Sequence, residues 1–410
     1  EALRRVLALD ATHRRLGGER DDVRRQVKEL SRSVGRLRAE GRADEAAAAA
    51  AESRELGARE RALAAEVDRL AAELRELLLA TPNTPDPEAP DGAGPADNVV
   101  LRTEGYDPAA YGAHQRVPHW EIGEQLGLLD LPRATKISGS MFAMYRGWGA
   151  RLLRAMVQLS LDRNADAYEE VRPPTMVLTA TMVATGHLPK FADEAYHVER
   201  DDLWAIPTAE VPLTSLHRDE VLDGSRLPLR YAAYTSCFRR EAGAAGKDTR
   251  GLLRSHEFDK VELLAVAVDA GQARACQQDV LARSEGLLHA LGLAYRVVDL
   301  CAGDLGSSAA RTWDIEAYAP GVDQWLEVSS VSWFSDYQAR RANIRVRAPG
   351  DGGGGGRRGT AVAHTVNGSA LGWPRTVAAY LETHRRPDGS VGVAEALRPY
   401  LDGVTAIAAG

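Results

Sequence analysis

Two heptad repeats restrict the first 80 residues to a pair of long helices. The first set of apolar side chains alternates spacings of four and three residues: Val23, Val27, Leu30, Val34 and Leu37. The second set has the same spacing: Leu63, Val67, Leu70, Leu74 and Leu77. Each apolar seam must be covered by another helix. Because Gly41 interrupts the pattern, we predict an antiparallel coiled-coil hairpin over residues 1–80, with its tip near residues 35–44.

The polar surface of the first helix carries more cations than acids. The basic side chains are Arg20, Arg24, Arg25, Lys28, Arg32, Arg36, Arg38 and Arg42. The acids are Asp21, Asp22, Glu29 and Glu40. Heptads alone also suit a dimerisation rod or a spacer, but a basic strip favours a phosphate backbone that is recognised by shape and charge. Aromatic residues are absent from the first 80 positions, so no stacking on bases is expected.

Composition restricts the remaining classes of protein. The 410 residues suffice for two or three domains, and no apolar run reaches about 18 residues, so no membrane partner is expected. The net charge of −7 disfavours a general nucleic-acid binder, and we expect no DNA partner, although a local basic strip is compatible with this charge. Cys237, Cys276 and Cys301 are few and widely spaced, which fits a protein of the reducing cytoplasm. Their spacing does not match a cysteine zinc site.

A proline-rich stretch precedes a long region of mixed strands and helices. Residues 81–98 are predicted to form a semi-rigid linker. Over residues 99–410, strand-like runs alternate with amphipathic helices, which we predict at residues 138–161 and 273–291. Strands at hairpin distances favour an α+β domain with a mainly antiparallel sheet. The glycine run at residues 351–359 predicts a mobile hairpin tip.

The segment over residues 235–262 is densely charged. Its cations are Arg239, Arg240, Lys247, Arg250, Arg254 and Lys260, and its acids are Glu241, Glu257, Asp259 and Glu262. Arginines around a turn that contains Gly243 and Gly246 suit a polyphosphate, and the acids suit an amine, an adenine amino group or a metal. The alternative is a solvated hairpin that is laced with its own ion pairs.

The order of these residues resembles the motif 2 loop of class II aminoacyl-tRNA synthetases, specifically of the seryl-tRNA synthetases. Further stretches follow in that family's order: PTAEVPLT at 207–214, EVSS at 327–330, DYQARR at 336–341 and NGS at 367–369, followed by Arg375. The resemblance covers nearly the whole chain. It implies a class II catalytic domain over residues 99–410, with helices flanking the antiparallel sheet. It also implies activation of L-serine with ATP and Mg²⁺, followed by seryl transfer to tRNA-Ser.

The resemblance also implies two macromolecular partners. The hairpin is similar to the arm that binds the long variable arm of tRNA-Ser in this family. The residues expected to contact the tRNA are Arg24, Arg25, Lys28, Arg32 and Arg36. Pro173 and Pro174 resemble motif 1, which forms the dimer interface in class II enzymes, so a homodimer is implied.

An ATP site is implied by the matching positions. Its residues are Arg239, Arg240, Glu241, Arg254, Phe258, Glu327, Val328, Ser329, Ser330 and Arg375. Arg239 would bridge the α-phosphate and the substrate carboxylate, while Arg254 and Arg375 would hold the γ-phosphate end and the adenine face. Glu241 would accept from the adenine amino group, and Phe258 would stack on the ring. The catalytic residues are expected to be Arg239, Arg375 and Glu327, and the Mg²⁺ ligands Glu327 and Ser330.

A serine pocket is implied at a second group of positions. These are Thr208, Ala209, Glu210, Arg239, Glu262, Asn367 and Ser369. Two acids beside a small site suit an ammonium and a side-chain hydroxyl. The alternatives are that Glu210 and Glu262 pair with Arg239 or Arg240, and that Asn367 belongs to a simple turn. Asp336 with the Arg340–Arg341 pair is predicted to form a buried ion-pair network that holds the EVSS strand.

Several positions depart from the family pattern with large apolar groups or a changed polar group. Val331-Ser332-Trp333 follows EVSS in place of Cys-Ser-Asn, and Trp148, Trp373 and Pro374 also differ. His187 stands where the family has Gln. These changes leave three alternatives: a housekeeping serine ligase, a diverged paralogue that activates serine or an analogue for a specialised pathway or carrier, and a non-catalytic RNA-binding relative.

Overall fold

The computed structural model of the chain describes residues 2–242, 250–347 and 359–409. It divides into two compact units, Glu1–Pro82 and Asn83–Gly410. The turn glycines Gly243 and Gly246, and residues 351–358 of the glycine run, lie outside the described residues.

Helices account for the first unit and flank the sheets of the second. Within the described residues they are α1 (Ala2–Ala39), α2 (Ala43–Ala80), α3 (His119–Gln125), α4 (Leu131–Ser138), α5 (Trp148–Asn164), α6 (Thr179–Ala184), α7 (Glu210–Thr214), α8 (Ala270–Leu291), α9 (Tyr337–Ala342) and α10 (Trp373–Thr383). No described helix has the length and apolar character needed to cross a bilayer.

Strands lie in the second unit. Within the described residues they are β1 (Val99–Glu104), β2 (Glu169–Glu170), β3 (Met176–Leu178), β4 (His197–Val198), β5 (Leu203–Ala205), β6 (Val221–Asp223), β7 (Leu229–Phe238), β8 (Glu257–Ala267), β9 (Tyr295–Asp299), β10 (Arg311–Ala319), β11 (Gln324–Trp333), β12 (Arg345–Arg347), β13 (Ala361–Val362), β14 (His364–Gly372), β15 (Val391–Gly392) and β16 (Ala406–Ile407).

The hairpin of the first unit has two arms of 38 residues each. Val23, Val67 and Leu70 of the two seams are buried, which is the packing expected for heptads. Gly41 takes a positive φ of 74° in the turn, where a residue with a Cβ would be strained. The predicted antiparallel coiled coil is therefore confirmed.

The central sheet of the second unit has eight strands in the order β1-β9-β10-β11-β14-β8-β7-β2. Each neighbouring pair is antiparallel except β2 and β7, which are parallel. Helices α5, α8 and α10 pack their apolar sides onto it and join one hydrophobic core. Strand and helix runs along the sequence therefore identified the α+β class correctly.

The proline-rich stretch 81–98 is bound to the second unit from Asn83 onward. The amide of Asn83 donates to the carbonyl oxygen of Ser308 at 2.9 Å. Asp86 is buried, and its carboxylate pairs with Arg274 at 2.6 Å. The segment predicted as a linker is therefore fixed along the surface of the sheet domain.

The helix predicted at residues 138–161 starts later than expected. Helix α4 ends at Ser138, and α5 begins only at Trp148. Gly139 and Gly147 take φ values of 96° and 50°, and Met141 takes 62°. Three left-handed residues cannot belong to a right-handed helix, so the apolar periodicity extended the prediction too far.

A buried carboxylate joins three parts of the second unit. Both carboxylate oxygens of Glu382 in α10 accept hydrogen bonds. Oε1 accepts from the backbone N–H of His119 at 2.9 Å and from its ring Nδ1–H at 2.8 Å. Oε2 accepts from the backbone N–H of Gly321 at 2.8 Å and from that of Val322 at 3.2 Å. The other ring nitrogen of His119 accepts from the backbone N–H of Leu252 at 2.9 Å. Glu382 and His119 are fully buried, so these bonds have no water to replace them.

We expect Glu382→Gln to lower the free energy of unfolding by about 2–4 kcal/mol. An amide has one acceptor oxygen, so its NH₂ group would face N–H donors in a site without water. Urea unfolding followed by tryptophan fluorescence measures the change. The matched control is Glu395→Gln at an exposed site, which should shift stability by less than about 0.5 kcal/mol. Equal stability of the two variants would contradict the role of Glu382.

Candidate active site

Most of the predicted site residues line one cavity of about 330 Å³ on the face of the sheet. They are Thr208, Glu210, Arg239, Glu241, Arg254, Phe258, Glu262, Glu327, Val328, Ser329, Ser330, Asn367, Ser369 and Arg375. Strand pairing explains the convergence, because Ser369 of β14 lies opposite Glu262 of β8, and Asn367 lies opposite Ser332 of β11. Side chains on neighbouring strands that share a face meet over the sheet.

Two of the residues predicted for the ATP and serine sites do not line this cavity. Ala209, the residue before α7, is fully buried in an apolar cluster. Arg240 is exposed, and its guanidinium donates to the carbonyl oxygen of Asp193 at 3.2 Å. Arg239 and Arg240 directly follow β7, which ends at Phe238, and only Arg239 of the two lines the cavity.

One end of the cavity holds two buried acids that share an amide. Asn367 Nδ2 donates to Glu210 Oε2 at 2.7 Å and to Glu262 Oε1 at 3.0 Å. The Lys260 ammonium contacts Glu262 Oε2 and donates to Thr208 Oγ1 at 2.7 Å. The acids therefore pair with Asn367 and Lys260, and the alternative of pairing with Arg239 or Arg240 is wrong.

Burial sets the acid strength of this pair. It raises the pKa of the Glu210 carboxyl above its usual range, although the hydrogen bond from Gln338 opposes the shift. It likewise raises the pKa of the Glu262 carboxyl, against the opposing charge of Lys260. A second cation placed between the two carboxylates would stabilise their charged forms.

The network predicted for the DYQARR segment is different from the one observed. Arg340 pairs with Asp336, but its side chain is 64% exposed, so the pair is not buried. The buried polar member of the segment is Gln338, whose amide donates to Glu210 Oε1 at 2.5 Å. Gln338 also accepts from Thr365 Oγ1 at 2.7 Å. The segment thus positions one of the two site acids through an amide, which carries no charge that a pattern of charged residues could reveal.

The other end of the cavity carries arginines around an aromatic ring. The Arg239 guanidinium lies 5.1 Å from the centroid of the Phe258 ring. Arg254 Nη1 pairs with Glu241 Oε2 at 2.9 Å. Arg375 donates to the carbonyl oxygens of Leu253 and Glu327 at 3.0 and 3.1 Å. These contacts hold three cations toward one space, which can accept a polyanion.

Hard oxygen donors lie beside the arginines. Glu327 and Ser330 belong to β11, and Ser330 is paired across the strands with Asp314. Burial and the nearby charge of Glu327 raise the pKa of the Asp314 carboxyl well above its usual range, and its Oδ1 is buried without a hydrogen-bond partner among the described residues. No group of three or more His, Cys, Asp or Glu side chains in the described ranges is arranged to hold a metal by itself.

The bulky departures from the family pattern lie mostly outside the cavity. Trp373 and Trp333 are buried in the core, and the Trp333 ring stacks on His364 at 6.0 Å between centroids. Trp148 packs under Arg151, whose guanidinium carbon is 4.0 Å from the ring centroid. Of the large substitutions, only Pro374 contributes to the lining. The small end of the cavity is therefore not filled by indole rings.

Four polar residues line the cavity without having been predicted as site residues: Lys260, His187, Ser255 and Ser332. Lys260 lies two residues before Glu262 in β8. Residues two apart in a strand point to the same face of the sheet, so this spacing was the signal that Lys260 shares the cavity face with Glu262. His187 also lines the cavity, and its Nδ1 lies 2.8 Å from Thr185 Oγ1. Its only signal in the sequence was its departure from the family pattern.

Family models match both units of the chain. Residues 1–85 match the seryl-tRNA synthetase N-terminal domain, and residues 195–384 match the class II tRNA synthetase core domain for glycine, histidine, proline, serine and threonine. The chain is 46% identical to a serine–tRNA ligase of Synechococcus elongatus, over 97% of this chain and 91% of that protein. It is 48% identical to one of Pelotomaculum thermopropionicum, over 92% and 87%.

Solved structures give the same result. A seryl-tRNA synthetase from Pyrococcus horikoshii, complexed with ATP, superposes with a TM-score of 0.88 at 33% identity and covers 99% of this chain and 93% of its own. A cytoplasmic serine–tRNA ligase from Naegleria fowleri, in complex with AMP, gives 0.85 at 26%, covering 99% and 92%. With both domains matched in order and nearly half of the residues identical over almost its full length, the chain belongs to the seryl-tRNA synthetase family.

Proposed function

We propose that this chain activates L-serine with ATP and then transfers the seryl group to tRNA-Ser. The observation that carries the proposal is that one cavity has acidic side chains at one end and basic side chains at the other. Its small end has two buried acids, Glu210 and Glu262, and its wide end has three arginines, Arg239, Arg254 and Arg375. An amino acid and a nucleoside triphosphate placed in these two ends would meet at Arg239.

The first step is driven by placement and charge. A serine carboxylate oxygen attacks the α-phosphorus, and pyrophosphate leaves with the electron pair of the broken bond. No protein nucleophile is needed, because catalysis requires alignment and stabilisation of the charge that develops at phosphorus. We assign that stabilisation to Arg239, and the holding of the γ-phosphate end and the adenine face to Arg254 and Arg375.

The serine end selects its substrate by hydrogen bonding. We assign the ammonium and the side-chain hydroxyl of serine to Glu210 and Glu262, together with Thr208, Asn367 and Ser369. All five are buried, so an amino acid without a hydroxyl would leave polar groups unpaired. A site of this kind rejects the apolar analogue strongly.

We place Mg²⁺ beside Glu327 and Ser330. Their donor set fits this ion, which commonly binds one or two protein oxygens and completes its shell with phosphate oxygens and water. Asp314 lies opposite Ser330 on β10, and its Oδ1, which has no hydrogen-bond partner among the described residues, adds a further oxygen close to the same strands. When bound, the ion would neutralise negative charge on the phosphates. Within the same proposal, Glu241 accepts from the adenine amino group and Phe258 stacks on the ring.

We assign the tRNA-binding role to the hairpin of the first unit. Arg24, Arg25, Lys28, Arg32 and Arg36 are all exposed on α1. Arg25 pairs with Asp22, and Arg36 lies 3.9 Å from Glu40. The remaining three cations form no ion pair within the described residues, so they are available to phosphates.

A homodimer and a cytoplasmic location complete the proposal. The dimer rests on the resemblance of the segment at Pro173 and Pro174 to motif 1. The location rests on the reaction, since tRNA and ATP meet there, and on cysteines that are buried and form no disulfide among the described residues.

Arg239→Ala is expected to lower serine-dependent exchange of pyrophosphate into ATP by at least about 10²-fold, because the charge at phosphorus loses its donor. Affinity for tRNA should change by less than about threefold, since Arg239 is far from the hairpin in sequence and belongs to the other unit. Arg240→Ala is the matched control, because Arg240 does not line the cavity, and it should retain exchange. Normal exchange in Arg239→Ala would refute the assignment.

Removal of residues 1–82 should spare pyrophosphate exchange but lower tRNA-Ser charging by at least about 10²-fold. A finer test is the triple variant Arg24→Ala, Lys28→Ala, Arg32→Ala. It should reduce the slope of log affinity against log salt concentration by roughly two to three, since each lost phosphate contact lowers it by about 0.7–0.9. Filter binding at several salt concentrations measures the slope. Full charging by the truncated protein would rule out the hairpin as the tRNA-binding arm.

Serine binding is expected to release protons below neutral pH. The raised pKa values of Glu210 and Glu262 leave these groups partly protonated as the pH falls, and the serine ammonium favours their charged forms. Affinity for serine should therefore weaken as the pH drops toward those raised values. Calorimetry in two buffers of different ionisation enthalpy counts the released protons. Glu262→Gln should release fewer, and an equal number in the variant would exclude Glu262 as the titrating group.

A further inference from the structure

The reaction cavity, in which serine and ATP are proposed to meet, contains a buried cation at its serine end. Lys260 of β8 is 8% exposed and lines this cavity. Its ammonium contacts Glu262 Oε2 and donates to Thr208 Oγ1 at 2.7 Å. An ammonium has three N–H donors, and the third donor of Lys260 has no partner among the described residues. This donor is therefore available to a bound substrate.

The charges at the serine end leave room for one further cation. Among the described residues that line this end, two acids, Glu210 and Glu262, face one lysine, Lys260, whose charge acts on both. The pKa values of both carboxyls are nevertheless raised, because burial outweighs the charge of Lys260. Arg239 also acts on Glu210, but in the proposed function its charge is matched by the serine carboxylate and the α-phosphate. The single ammonium of serine would then neutralise this end, and a second ammonium would be in excess.

Hydrogen bonding at this end also distinguishes a hydroxyl from an ammonium. The oxygen of a serine hydroxyl can accept from Lys260 while its O–H donates to Glu210 or Glu262. An ammonium in the same place cannot accept, so it would face Lys260 as a like charge and would be buried without a counter-charge of its own. A methyl group in that place would leave the lysine donor unpaired but would add no charge. The order of fit is therefore hydroxyl, then methyl, then ammonium.

We infer that Lys260 excludes a second ammonium from the serine end and so determines that the substrate carries a hydroxyl there. The inference rests on the proposed function. The excluded analogue is 2,3-diaminopropionate, which has the size of serine and carries an amine in place of the hydroxyl. If Lys260 only held Glu262 in place, the two acids would favour an ammonium over an uncharged group. The ranking of a charged and an uncharged analogue therefore separates the specificity role from a structural one.

The first test uses the unaltered full-length protein and three amino acids of similar size. They are serine, diaminopropionate and 2-aminobutyrate, which has a methyl group in place of the hydroxyl. Pyrophosphate exchange is measured with each, in a buffer acidic enough to keep both amines of diaminopropionate protonated. The kcat/KM for diaminopropionate should be lower than that for 2-aminobutyrate by at least about tenfold. Diaminopropionate that is used as well as 2-aminobutyrate, or better, would overturn the inference.

The second test is Lys260→Met, which removes the charge and keeps an unbranched side chain. Diaminopropionate should now rank above 2-aminobutyrate, and its kcat/KM relative to that of serine should rise by at least about 10²-fold. All three amino acids are measured on one preparation, so a loss of folded protein cancels in the ratios. Lys136→Met, at an exposed lysine that does not line the cavity, is the matched control and should keep the original order. An unchanged order in Lys260→Met, with activity lowered equally for all three, would overturn the inference.

Failure of this inference differs from failure of the proposed function. Loss of serine-dependent exchange in the unaltered protein would overturn the proposed function. Normal exchange with serine, combined with the wrong ranking of the two analogues, would overturn the role of Lys260 alone.

Discussion

The floor of the reaction cavity depends on the compensation of two buried negative charges. Glu210 and Glu262 are buried, and as isolated carboxylates they would destabilise the fold. The free energy lost on desolvating two such charges exceeds the net free energy of unfolding of a typical domain. Asn367 donates to both acids, Lys260 faces one and Gln338 faces the other. These partners come from strands β8 and β14 and from helix α9, so the pocket exists only when the sheet and its flanking helix are both assembled.

The antiparallel sheet converts this local network into an extended site. Strands β8, β11 and β14 bring Glu262, the EVSS segment and Asn367 to one cavity. Residues next to these strands add the rest: Glu210 from α7, Arg239 after β7, Arg254 before β8 and Arg375 from α10. The opposite side packs on α8 and α5 in one core. A rigid sheet with packed helices behind it keeps the positions of these side chains fixed. A reaction that depends on the alignment of two substrates requires such fixed positions. The buried Glu382–His119 pair extends this rigidity to Leu252 at the cavity wall.

Residue pattern and family resemblance together predicted the hairpin, the sheet class and most of the cavity. Heptads specify partners directly, and period-two spacing specifies which side chains share a face. The errors have physical causes. Left-handed residues at Gly139, Met141 and Gly147 ended a helix that apolar spacing alone would continue. Gln338 was overlooked because a neutral amide gives no charge pattern, and its importance appears only when burial is known.

The ion pair between Arg254 and Glu241 has a consequence for the choice of nucleotide. These two side chains satisfy each other in the structure, so a ligand that offered both a phosphate to the arginine and a donor to the glutamate would replace both halves of the pair. Adenine presents an amino group at the relevant edge, whereas guanine presents a carbonyl oxygen that a carboxylate repels. If Glu241 accepts from the adenine amino group as proposed, a self-paired site would therefore disfavour both inorganic phosphate and GTP, and purine discrimination would follow from a contact that exists before any nucleotide is bound.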